Sequence, residues 1–197
     1  MTRVTRYKTS YIIVIICLIV LCLGLLYFSG WNVWVTVGLI FALLIPGRVQ
    51  GLLFRDLFRG RRALDQHHPA EALEHWERFL KTIQSQPWRK PALWLSWSVY
   101  TPSVEAMVLN NIGTAHLILD NREQAIATWH AALELDPRYP LPYTNLAVVS
   151  ASEGDSSTAE NLLASAKQLG YSGNAFDQVV QKVQHLLANV ESHGPSI

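Results

Sequence analysis

The chain has 197 residues, half of them hydrophobic, and a formal net charge of +1 from 16 Lys/Arg against 15 Asp/Glu. That length holds one or two modest domains, and the near-neutral total hides a division: residues 1–90 carry 12 Lys/Arg against 5 Asp/Glu, residues 91–197 carry 4 against 10. The basic residues stand beside apolar segments and the remainder is acidic, which argues against nucleic acid as a partner, and two cysteines five apart in one apolar run (Cys17, Cys22) make no disulfide framework and imply no oxidising compartment.

From Thr9 to Gly47 the chain contains no Asp, Glu, Lys, Arg or His. A soluble domain must show one face of each element to water, so a charge-free run of this length points to lipid. Tyr11–Phe28 is long enough for a transmembrane helix, since 18 residues at 1.5 Å each approach the ~30 Å hydrocarbon thickness. Trp31–Pro46 is shorter and is predicted to cross by tilting, by thinning the bilayer or by extending through Pro46-Gly47; a re-entrant or interfacial segment is the alternative. Ser29-Gly30 is the predicted turn between them, flanked by the interfacial aromatics Tyr27, Phe28, Trp31 and Trp34. Residues 1–10 form a basic N-terminus with Arg3, Arg6 and Lys8, and Arg48, Arg55, Arg59, Arg61 and Arg62 follow the second span. The turn carries no charge, so the positive-inside rule places both termini in the cytoplasm, around a hairpin (11–48) in the inner membrane. A basic collar also suits anionic headgroups, at roughly 1 kcal/mol per nearby Lys or Arg.

Beyond the spans the sequence repeats itself at a constant offset. Leu109, Ile112, Gly113, Ala125, Trp129, Ala132 and Pro137 recur as Tyr143, Leu146, Ala147, Ala159, Leu163, Ala166 and Tyr171. Small residues in this pattern let two helices approach closely, while Trp129 and Leu109 fill the space between neighbours. Asp120-Asn121 and Gly154-Asp155 fall where one helix ends and the next is capped. In spacing and residue type the pattern resembles the tetratricopeptide repeat, although His116 and Ser150 replace the usual aromatic of the first helix. The resemblance implies an all-α fold, a solenoid of helix pairs over 104–137 and 138–171. A weaker copy lies at 53–85, where Gly60, Ala72 and Trp76 match Gly113, Ala125 and Trp129 at a second, longer offset. The segment 175–190 carries an apolar stripe from Phe176 to Val190 and reads as a capping helix, followed by a disordered tail, 191–197.

Between the copies, residues 86–103 form an insertion rich in Trp and Pro. Trp88, Trp94, Trp97 and Tyr100 support three readings: a plug in the groove or along its edge, a contact with the membrane interface, or a partner-binding hot spot. His67, His68, Glu71 and His75 are the one cluster with ligand-type residues, but their spacing matches no zinc motif; a solvated turn is the simpler reading, and neither metal nor cofactor is expected. No phosphate loop or nucleophile–base pair is visible, so the chain does not read as an enzyme.

The resemblance implies binding of a protein or peptide in a groove lined by the first helices of the pairs. Met107, Asn110, Asn111, Thr114, Leu141, Thr144 and Asn145 are the candidate groove residues. Asn111 and Asn145 hold the same repeat position, where family members often bond a peptide backbone. Residues 104–119 and 139–154 contain no Lys or Arg, which disfavours a clamp for a terminal carboxylate and suits a neutral ligand. The expected function is a membrane-anchored adaptor. A structural subunit of a membrane complex is the alternative, and a metal-dependent enzyme a remote one.

Overall fold

The structure is a computed structural model that describes residues 2–96 and 100–193, and within them it is all-helical. Two N-terminal helices, α1 (Arg3–Phe28) and α2 (Val33–Leu53), are long and apolar enough to cross a membrane. They turn at Gly30 and Trp31, with φ of +61° and +59°, and Asn32 caps α2 through the Trp34 amide at 2.9 Å. Their apolar side chains, Ile12 through Leu25 and Val33 through Ile45, point largely outward. The second apolar helix does not stop at Pro46, where the sequence pattern ends. It continues to Leu53, because a proline ring interrupts only one turn of bonding and its neighbours complete the helix. Its 21 residues give about 31 Å, enough for a bilayer core.

The chain then folds as three helix pairs: α3 (Arg55–Asp65) with α4 (Pro69–Ser85), α5 (Val104–Ile118) with α6 (Arg122–Leu135), and α7 (Pro140–Ser152) with α8 (Ser156–Gln168). Each pair is joined by the same turn. His67, Asp120 and Gly154 take left-handed backbone with φ of +62°, +63° and +80°. The amides that follow, of His68, Asn121 and Asp155, bond the carbonyls of Ala63, His116 and Ser150 at 2.9, 2.9 and 3.0 Å. Those two features define a helix C-terminus that satisfies its own last carbonyls. They recur at the same two offsets that relate the copies in the sequence. Asp155 then caps α8 by accepting the Thr158 amide at 3.0 Å, while Asn121 makes no such side-chain bond.

Small-to-large contacts close each pair. Trp76 donates its indole N–H to the Leu57 carbonyl at 3.2 Å, and Trp129 donates to that of Asn110 at 3.1 Å. Both rings are buried against Gly60 and Gly113, where a Cβ would overlap the indole. In the third pair Leu163 replaces Trp, and the facing position becomes Ala147. A smaller side chain on one helix is offset by a larger one on the other, as close packing requires.

The buried apolar residues form successive cores: Phe54, Trp76, Phe79, Val104 and Val108 in the first, Trp129, Leu146 and Val149 in the next, Leu163, Phe176 and Val183 in the last, with Ala106, Ala132 and Tyr139 forming a smaller one. The final helix α9 (Asn174–His193) packs mainly on α7 and covers the last core. It extends past the predicted boundary at 190; residues 194–197 of the expected tail lie outside the described residues. Of the insertion, Pro87–Ser96 forms a 3-10 segment that touches α2 and α4 and drives Leu93 into the first core.

Candidate functional site

The candidate groove residues divide once their partners are known. Asn110 is buried: its carbonyl accepts both the Trp129 indole and the Thr114 hydroxyl (3.0 Å), and its Oδ1 accepts the Asn145 amide at 2.9 Å. Thr144 is buried and donates to the Leu141 carbonyl at 2.8 Å. Met107 packs against the first core and Leu141 against two others. The Asn145–Asn110 bond joins α7 to α5, and the other groups are taken up by packing or by bonds within their own helix. Asn111 is the exception, half-buried and with no side-chain hydrogen bond among the described residues. Its amide keeps two donors and an acceptor for a ligand.

The aromatic candidates also separate. Trp88 is 66% exposed, with the Arg89 guanidinium 5.3 Å from its ring centre. Tyr100 belongs to the interior, its ring edge-to-face with Tyr171 at 5.5 Å. Trp94 is placed in the 3-10 segment by its backbone, and Trp97 lies outside the described residues. The insertion therefore plugs the core through Leu93 and presents Trp88 to its surroundings.

A polar junction emerges that the sequence did not announce. Asp136 ends α6, and its carboxylate receives Arg3 Nη1 and Nη2, each at 2.7 Å, and the Thr101 hydroxyl at 2.6 Å. Arg3 also donates to the carbonyls of Tyr100 (2.9 Å) and Arg138 (2.7 Å). The side chains of Arg3 and Asp136 are only 9% and 8% exposed. Beside them Val4 is buried, and Thr2 and Val4 sit against Gly170, where a side chain would collide with them. Burial alone would raise the Asp136 pKa, but the hydrogen bonds from Arg3 and Thr101 and the charge of Arg3 outweigh it and hold the carboxyl below its ordinary 3.8. Tyr139, fully buried next to it, is pushed far above the usual phenol range by burial and then by the Asp136 charge. Arg3 reads in sequence as one cation of a positive flank. A trace was present at Asp136: a carboxylate at a helix C-terminus opposes the helix dipole and calls for a cation.

The histidine cluster forms a separate arrangement. His75 lies between Asp56 (3.4 Å) and Glu71 (3.7 Å), on a cleft of about 290 Å³ that Arg59 and Arg62 also line. Among the described residues no three His, Cys, Asp or Glu converge as a metal would need. No family model matches the chain, and no curated relative does.

Proposed function

We propose that the chain is a membrane-anchored scaffold of the tetratricopeptide type. In this reading α1 and α2 cross the inner membrane as a hairpin with both flanks cytoplasmic, and the face of α5 and α7 holds a protein or peptide, without catalysis. The recurrence of one turn geometry and one small-to-large contact, at the spacing of the sequence copies, supports the repeat reading. The carrying observation is that this array follows α2 through one non-helical residue, the buried Phe54. An array so attached moves with its membrane helices and suits assembling partners at the bilayer.

The binding face is tested by placing a photo-crosslinking residue at Asn111 in the full chain and irradiating native membranes. A discrete protein adduct from position 111, absent when the same group sits at the exposed His130 of α6, is the expected result. Equal labelling from both positions, or none from 111, overturns the groove reading. Topology is tested by reporters fused at Gly30 and after Ile197, and a cytoplasmic signal at Gly30 overturns the orientation.

A further inference from the structure

Each helix pair has two ends. The turns within pairs (66–68, 119–121, 153–155) lie on one edge of the array, and the described residues of the connections between pairs (86–96 with 100–103, 136–139, 169–173) lie on the other. Both apolar helices leave from the second edge. Arg3, at the start of α1, is bonded to Tyr100, Asp136 and Arg138, and Thr2 touches Gly170, so three connections are drawn to one point. The end of α2 abuts the insertion.

The charge-free run begins immediately after Lys8 and ends immediately before Arg48. Lys8 is five positions into α1 from Arg3, and Arg48 five positions before the end of α2, so each lies about 7.5 Å along its helix from this edge. Headgroups occupy about 5–8 Å per leaflet. If the hydrocarbon begins where the charge ends, the edge lies at the outer limit of the headgroup layer, within reach of long side chains.

Its chemistry suits that position. Asp136 is neutralised by Arg3, and Glu105 by an ion pair with Lys90. Arg6, Lys8, Arg48, Arg89 and Arg138 have no carboxylate partner among the described residues, against unpaired Glu134 and Asp177. Trp88 is largely exposed here, and Leu135 is 54% exposed in the last turn of α6. Interfacial Trp beside cations is the composition that membranes select at the headgroup level.

We propose that this edge is an anionic-lipid docking face, on which Arg48, Arg89 and Arg138 engage headgroup phosphates and Trp88 sits at the interface. The inference rests on the anchoring reading above. It adds that the array lies edge-down on the bilayer, with the turns around His67, Asp120 and Gly154 directed away.

The test uses the full chain carrying Cys17→Ala and Cys22→Ala, spin-labelled through Leu135→Cys or, on the opposite edge, through Asn121→Cys. It is reconstituted in nanodiscs of phosphatidylcholine, with or without one-third phosphatidylglycerol. The label at 135 should gain lipid contact and lose water contact in the anionic discs, while the label at 121 stays aqueous in both. Arg89→Gln with Arg138→Gln should lower the docked-to-undocked ratio about fivefold per charge removed. Glutamine leaves the backbone bonds of Arg138 in place, and an unchanged thermal melt verifies the fold. A label at 135 that is aqueous in both lipids overturns the proposal. So does one that contacts lipid equally in both and ignores the Gln substitutions, since tethering alone would then explain it. A chain that washes off the discs in high salt overturns the anchoring itself.

Discussion

The helix pairs and the junction at Asp136 are held by opposite chemistries. Within a pair, an indole or a leucine fills the space opposite a glycine or an alanine, and in the first two pairs the indole N–H also bonds a backbone carbonyl. At the junction a buried carboxylate collects a guanidinium and a hydroxyl from chain segments 133 and 35 residues away. Packing of the first kind recurs from pair to pair, and because the same rings also face the neighbouring pair, its stability is shared along the array. A contact of the second kind occurs once and fixes how the array sits on the helix that begins at Arg3.

Trp129→Ala attacks the first kind and should have the largest effect. It removes a fully buried indole, a change that typically costs about 3–5 kcal/mol. The cavity lies between the second and third pairs, so chemical denaturation should show reduced stability of the whole array. Retention of full stability would mean that the ring is not the centre of the contact.

Arg3→Ala attacks the junction. The Asp136 carboxylate would stay under cover with only the Thr101 hydroxyl and the Arg138 backbone N–H (3.2 Å) as donors, and unpairing a buried charge costs about 3 kcal/mol, at the low end because a helix terminus can open to water. That loss should appear as release of α1, not as unfolding of the pairs. Distances between spin labels at Thr2→Cys and Ser172→Cys should broaden, while the denaturation midpoint of the array stays near that of the parent. The same pair of labels measures the pH dependence. The Asp136 pKa is lowered in the docked state, so docking is fully favoured above the ordinary value of 3.8 and is lost as pH falls through the depressed value. Distances should therefore hold from neutrality to about pH 5 and broaden only in strong acid. Broadening in mildly acidic buffer, well above that range, would show that another group controls the junction.

The two chemistries also differ in how far they are legible in sequence. Repeated packing writes itself into sequence, because glycine opposite tryptophan and alanine between helices must recur at the repeat length. Gly60 and Trp76 are recoverable even though the insertion lengthens the offset to their counterparts. The ion pair leaves no period to find. Arg3 sits beside two further cations, Arg6 and Lys8, and reads as one of a flank, while Asp136 precedes Pro137 in what reads as an ordinary turn. The amide contacts fall between these cases. Register aligns Asn145 with Asn111, yet Asn145 bonds Asn110, because the facing side chain is set by how α5 and α7 cross and not by their alignment. Pro46 misleads differently: a proline marks the end of a soluble helix, but an apolar helix runs through it to Leu53.

The finest distinction lies inside the repeat, between Gly113 facing Trp129 and Ala147 facing Leu163. Gly113→Ala would gain helix propensity, worth about 1 kcal/mol, yet its Cβ would fall 2.5 Å from the indole nitrogen. Displacing a ring that is already bonded and buried should win, for a net loss of about 1–3 kcal/mol. Ala147→Gly opens space against a smaller partner and should lose only about 1 kcal/mol, mostly propensity. Combining Gly113→Ala with Trp129→Leu recreates the third pair's solution inside the second. The double variant should be more stable than the sum of the single changes allows, and the coupling in a double-mutant cycle measures the complementarity directly. Simple additivity would mean that the two pairs differ by chance at these positions and not by a shared demand for volume.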